Sequence, residues 1–297
     1  MRFFLIFLVS IYSLADIYNL KPVKVAKGVY CFFGKNEIPN RKNLGNISNS
    51  CYIDAKDYWI VFDTGPSYDY AKESFEKISK IKMQNVKFVI NSHGHDDHFL
   101  GNIFFIKKGT VILANKDISE YLNRALRMQR YLPKSILIKS KVKEPDILLK
   151  KEAFLNTPIG TIKLICFSAH TKGDVIAYIP KRKVIFAGDI VFNERVPSLK
   201  DSDIFNWIKA LEYIKSLDAN FIIGGHGKIY GKDSYKMTLN YLKDLIKQVK
   251  KAIENDIDYE EVTKYIDMSK YKNLAGFKEL NNLNILNAYR YLELEIE

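Results

Sequence analysis

Residues 91–102 read "NSHGHDDHFLGN", and positions 93–98 alone hold three of the chain's five histidines and two aspartates. Imidazole is a preferred transition-metal ligand, and small neighbours such as Gly94 let the backbone turn so that several side chains converge. In an extended segment His93 and His95, two apart, project to the same side and can share one ion. The chain must then turn for Asp97 and His98 to face a neighbouring ion.

Working outward, the other two histidines sit in similar places. His170 follows the β-branched run "TIKLICFSA" and His226 follows "NFIIGG", while Asp189 follows "KVIFAG" and offers a carboxylate able to bridge. Together with "VKFVI" before residue 91, four strand-like ends deliver polar side chains to one rim, where α/β folds commonly build sites. Hard oxygen and borderline imidazole donors, with no cysteine among them, suit zinc, iron and manganese being the alternatives. Asp63, ending "YWIVFD", is the candidate to hold a ligand imidazole by its outer nitrogen. Asp96 reads as solvent-facing, and Tyr131 and Arg195 read as surface packing. Asp174 lines the site or begins a strand, and Cys166 reads as a buried core thiol.

The remaining text alternates. "GVYCFF", "SCYID", "TVILAN" and "DVIAYIP" are further strand-like runs, and Ser67–Ile81, Asn115–Arg130 and Asp203–Leu217 carry apolar residues at helical spacing. From about Ser234 strand signals stop, and Leu242, Leu245, Val249 and Ile253 mark a helical appendage that covers the main core. The expected organisation is mixed α/β: residues 1–15 a leader, 16–235 the main domain and 236–297 a helical extension packed on it.

The opening "MRFFLIFLVSIYSLAD" has one arginine, an apolar run and small residues before Asp16, the pattern of a secretory signal cleaved after Ala15. The expectation is an exported, periplasmic protein with no stable membrane anchor after cleavage. An odd count of three cysteines leaves at least one unpaired; given export, Cys31 and Cys51 can pair, which the sequence does not decide. The net charge of +12 comes from 46 Lys and Arg against 34 Asp and Glu, scattered rather than clustered. This excludes a nucleic-acid stripe and points to a small-molecule substrate, with anions steered toward the protein.

"HGHDDH", with "AHTKGD", "AGDIVF" and "GGHG" following in order, resembles the metallo-β-lactamase superfamily, whose HxHxDH motif is matched residue by residue. The resemblance implies a four-layer αββα sandwich over roughly Leu20 to Ser234. It implies a first metal site of His93, His95 and His170, a second of Asp97, His98 and His226, and Asp189 between them. Asp97, His98 and Asp189 are then the candidate catalytic residues, two zinc ions the cofactors, and hydroxide from a shared water of pKa about 7 the nucleophile on an ester, thioester, amide or lactam bond. Asp189 stands where zinc β-lactamases of the best-known subclass carry cysteine, which is closer to glyoxalase-II-like hydrolases. The segments "NEIPNRKNLGNISNSCYI", "RVPSLKDSD" and "NAYRYLELE" are similar to exported quinoprotein relay system zinc metallohydrolases. Alternatives are a β-lactam-hydrolysing enzyme, an accessory metalloprotein of a periplasmic quinoprotein pathway, and iron-based oxidoreductase chemistry.

Overall fold

Central strands with apolar residues at every position must bury both faces. In this chain they do so between two sheets and two helical layers. The computed structural model describes residues 16–106, 109–122 and 130–296. The expected leader, 1–15, lies outside them, as do residues 123–129 of the helix expected over Asn115–Arg130; Ser119–Leu122 is helical.

The first sheet runs in chain order: β1 (Val23–Ala26), β2 (Val29–Phe32), β3 (Ser50–Asp54), β4 (Trp59–Phe62), β5 (Val86–Ile90), β6 (Val111–Asn115) and β7 (Ile147–Leu149). It is antiparallel up to β4 and parallel from there to β7. The second follows in reverse order across the sheet: β8 (Glu152–Thr157), β9 (Gly160–Phe167), β10 (Asp174–Ile179), β11 (Val184–Phe192), β12 (Phe221–His226) and β13 (Tyr230–Gly231). Only β11 and β12 pair in parallel there.

The period of two sorts side chains between layers. Ile60 and Phe62 of β4 meet Val175, Ala177, Val184 and Phe186 of β10 and β11 in the core between the sheets. Trp59 and Val61 point the other way, under helix α1 (Tyr68–Ser79), with Tyr70, Ala71 and Ile78. Ile176 and Ile185 face α3 (Ile204–Ser216), α4 (Lys236–Glu254) and α5 (Phe277–Ile296). A single turn, α2 (Asp96–Phe99), follows β5. The arrangement is the expected αββα sandwich. No helix among the described residues is long and apolar enough to cross a membrane.

Cys31 and Cys51, direct partners in the β2–β3 register, form a disulfide, and Cys166 is free. Burial pushes the Cys166 thiol up to about 11. The bridge closes a loop with a sequence separation of 20. Replacing both cysteines by alanine is expected to cost about 3 kcal/mol from the lost loop constraint. The check is the urea midpoint, and an unchanged midpoint would mean that the bridge contributes nothing.

Candidate metal centre

Strand β5 belongs to the first sheet, and the segment after it crosses to the second, where Val175 N–H donates to Ser92 O at 2.7 Å. The chain is still extended at His95, and α2 then supplies the expected turn, carrying Asp97 and His98. His170 comes from the turn between β9 and β10, and His226 is the last residue of β12. Asp189 does not end its strand: it lies inside β11, beside an irregularity at Gly188. Gly188 has φ +51°, and a Cβ there would lie 2.4 Å from Ser92 Cβ, so only glycine admits this approach of the two sheets. A Cβ at Gly225 would fall 1.9 Å from Asp189 Oδ1, so that glycine makes room for the carboxylate.

These elements bring all seven expected ligands together. One group is His93, His95, His170 and Asp189, the other Asp97, His98 and His226; in each, the donor atoms lie within 4.8 Å of one another. His93 Nε2 is 2.9 Å and His170 Nε2 3.1 Å from His95 Nδ1. Asp189 Oδ2 is 3.3 Å from His170 Nε2 and 3.2 Å from His226 Nε2, while Oδ1 is 3.2 Å from His98 Nε2. Asp97 Oδ2 is 3.5 Å from His98 Nε2 and 3.6 Å from His226 Nε2. A tetrahedral ion with bonds of 2.0–2.1 Å sets its ligands about 3.3 Å apart, so the donors already stand at coordination spacing. Asp189 reaches both groups. Among the described residues His98 Nε2 and Asp189 Oδ1, 3.2 Å apart, are buried without a well-formed hydrogen bond, which is costly for polar atoms unless a ligand satisfies them.

Outer contacts fix which ring nitrogen faces inward. Asp63 Oδ1 accepts from Ser92 N–H at 2.7 Å, and Oδ2 accepts from Ser92 Oγ at 2.7 Å and from His98 Nδ1 at 2.8 Å. Ser92 Oγ lies 2.9 Å from His93 Nδ1 and, donating to Asp63, accepts from it. One carboxylate therefore orients a histidine of each group. His226 Nδ1 donates to Ile47 O at 2.8 Å, and His95 Nε2 meets Asp201 Oδ2 at 3.2 Å. Asp174 both begins β10 and braces the His170 turn, accepting from Ala169 N–H and Thr171 N–H; burial pushes its carboxyl up to about 7. Asp63, chosen from sequence, lies against the outer nitrogen of His98. Ser92 and Asp201 were not anticipated: Asp201 lies in a loop with no strand end to mark it.

The carboxylates around His98 favour positive charge on that ring. Burial opposes charging His98, yet Asp189, Asp97 and Asp63 together hold it well above the usual imidazole range. Burial also opposes ionising Asp189, and the histidines around it still hold its carboxyl well below the usual range. Burial pushes His170 down to about 3, leaving it a neutral donor.

The centre opens into a cleft of about 210 Å³ lined in part by Pro39 and Ile47 of the 36–49 loop, Arg130, Tyr131, Arg195 and Leu280 of α5. Two expectations change here. Asp96 is not solvent-facing: the α2 turn buries it at 3% exposure on the cleft wall, and it belongs to neither ligand group. Arg195 is not surface packing: it is 8% exposed, its Nη1 donates to Glu37 O at 2.7 Å, and its Nε has no hydrogen-bond partner among the described residues. The preceding Glu194 has φ +57°, and its carbonyl accepts from Ala275 N–H, so a strained residue is held in place where Arg195 turns inward. Tyr131 lines the cleft while also packing on Phe99, Leu100 and Ile118.

The profile of the metallo-beta-lactamase superfamily matches residues 44–226. A beta-lactamase-like protein 2 homolog of Caenorhabditis elegans is 24% identical over 69% of this chain and 63% of its own length. A type 2 metallo-beta-lactamase of Bacillus sp. (strain 170) is 22% identical over 66% and 73%. A hydroxyacylglutathione hydrolase of Francisella tularensis is 25% identical over 56% of each chain. The match thus spans less than two thirds of the first and third of these relatives. Among solved structures, a metallo-beta-lactamase of Pontibacter korlensis superposes with TM-score 0.60 at 20% identity, covering 75% of this chain and 99% of that one. The mono-zinc form of one from Pseudomonas aeruginosa gives 0.59 at 16% identity over 75% and 95%. At these identities the structures share the fold.

Proposed function

The chain belongs to the metallo-beta-lactamase superfamily, and from that premise we propose that it is an exported, dinuclear zinc hydrolase acting on an ester, thioester, amide or lactam bond of a small molecule. One observation carries the proposal: seven inward-facing donors in two adjoining groups, with the Asp189 carboxylate reaching both. Two divalent ions held there would supply Lewis acidity and water acidic enough to attack at neutral pH.

The protein's own side chains then have distinct tasks. His93, His95 and His170 would hold one ion and Asp97, His98 and His226 the other, with the Asp189 carboxylate within reach of both groups. Asp63, Ser92, Asp201 and the Ile47 carbonyl keep lone pairs inward. Nitrogen and oxygen donors without thiolate support zinc, and iron and manganese remain open. The signal-like opening supports export, and so does the disulfide, because disulfides persist in oxidising compartments.

The hydrolase reading is tested on zinc-loaded protein with a chromogenic cephalosporin, an activated ester and a thioester. Turnover of one of them supports it and names the bond. Failure on all three with both ions bound favours the accessory metalloprotein of a quinoprotein pathway, a role that rests on sequence segments alone.

Arg195 bears on the substrate. No carboxylate pairs with this buried cation among the described residues, so an anionic group on the substrate is its natural partner. Arg195→Met is expected to raise KM for a carboxylate-bearing substrate about tenfold to a hundredfold, the range of a charged hydrogen bond. The methyl ester of the same substrate should be unaffected. Equal losses on both would remove Arg195 from substrate binding.

A further inference from the structure

The C-terminal helix α5 lies beyond the residues matched by the family profile, and it was expected only to cover the core. Its Ile285, Ala288 and Leu292 do that, buried against the second sheet's outer layer. Asn284, 1% exposed, does something else. Its Oδ1 accepts from Leu199 N–H at 3.1 Å and its Nδ2 donates to Pro197 O at 2.7 Å, so one amide grips the backbone on both sides of residue 198. The same Nδ2 donates to Tyr241 OH of α4 at 2.9 Å. A cover needs no such group, since a buried amide is costly unless every polar atom is matched.

Two turns further along α5, on the same face, Tyr291 OH donates to Asp203 Oδ1 at 2.9 Å. Asp203 N–H in turn donates to Ala169 O at 2.9 Å, next to His170. Between these two anchors lies Asp201, whose carboxylate meets the outer nitrogen of His95. The loop carrying Asp201 has no regular structure, and α5 holds it at both ends.

We infer that α5 positions the metal centre, with Asn284 as a positioning residue that acts through the 197–203 loop and Asp201 on the orientation of His95. The inference rests on the proposed reading of His95 as a metal ligand. Asn284→Leu keeps the branching and the number of heavy atoms without the polar groups, Asn284→Ala removes the side chain beyond Cβ, and Ile285→Ala is the control for a merely structural loss on the same helix.

The test reads side-chain nitrogen-15 shifts of His95 in the metal-free protein, thermal midpoints, and zinc affinity by chelator competition. Both Asn284 variants should shift the His95 resonances as Asp201→Ala does and weaken one zinc by about tenfold to a hundredfold, the range for losing an outer-shell partner. The Asn284→Ala/Asp201→Ala double variant should be no worse than Asp201→Ala, because both act on one path. Ile285→Ala should lower the thermal midpoint and leave His95 unchanged. Unchanged His95 resonances in folded Asn284→Leu, or additive losses in the double variant, would overturn the inference. A wild-type protein that takes up no zinc would overturn the proposed function instead, while the resonances still decide the coupling.

Discussion

Asp189→Ala is expected to abolish turnover and to weaken metal binding, by at least one ion on the proposed dinuclear reading, while the fold survives. The carboxylate touches both ligand groups, at 3.2 Å from His98 Nε2 and from His226 Nε2 and 3.3 Å from His170 Nε2. Among the described residues no other carboxylate of the two groups spans both. Losing the ions' contribution of several kcal/mol corresponds to a rate loss on the order of 10³-fold. The fold should tolerate the change, since the apolar residues of β11 on either side, Phe186 and Ile190, stay in their cores. The measurement is turnover together with metal content and a thermal midpoint. A variant that keeps full activity would refute the site, and His98→Ala, removing the donor opposite Asp189 Oδ1, should behave alike.

The second large effect is expected at Asp63, which neither faces the cleft nor belongs to a ligand group. Asp63→Asn is a clean chemical change, because Asp63 has φ +57° and asparagine tolerates that left-handed backbone. Three donors converge on its two oxygens: Ser92 N–H, Ser92 Oγ–H and the His98 Nδ1–H. An amide replaces one acceptor with a donor, so His98 or Ser92 must turn away. If His98 takes the other tautomer, its proton moves to Nε2, toward the site. Zinc affinity should fall about tenfold to a hundredfold, measured by chelator competition. Affinity within twofold of wild type would reduce Asp63 to a turn residue.

The candidate ligands were legible because they stand beside strand-like runs and small residues that clear space for them. Gly188 and Gly225 are the concrete cases: the first admits Ser92, the second admits the Asp189 carboxylate. The two-sheet architecture was legible through the superfamily resemblance. The strands that the sequence does not announce, β1, β7, β8 and β13, are the four sheet edges. Edge strands bury little and carry exposed or half-buried positions, as in the burial of β8, so they lack the apolar signature. The roles of Arg195, Asp201 and Asn284 depend on how loops and α5 meet in space, and no local pattern encodes that.

The crossing of the chain from β5 to β10 has a consequence for the order of assembly. Ligands at 93–98 come from the end of the first sheet, and His170, Asp189 and His226 from the second, so neither half alone can present either complete set. Complete coordination of an ion held there would therefore follow docking of the two halves, and the ion would act as a late clamp across their seam. An ion at a hundred times its dissociation constant adds about 2.7 kcal/mol to the docked state. If the chain is exported unfolded, as proposed, it would collect its metal where it folds, and the supply of metal in that compartment, rather than in the cytoplasm, would govern how much active protein accumulates.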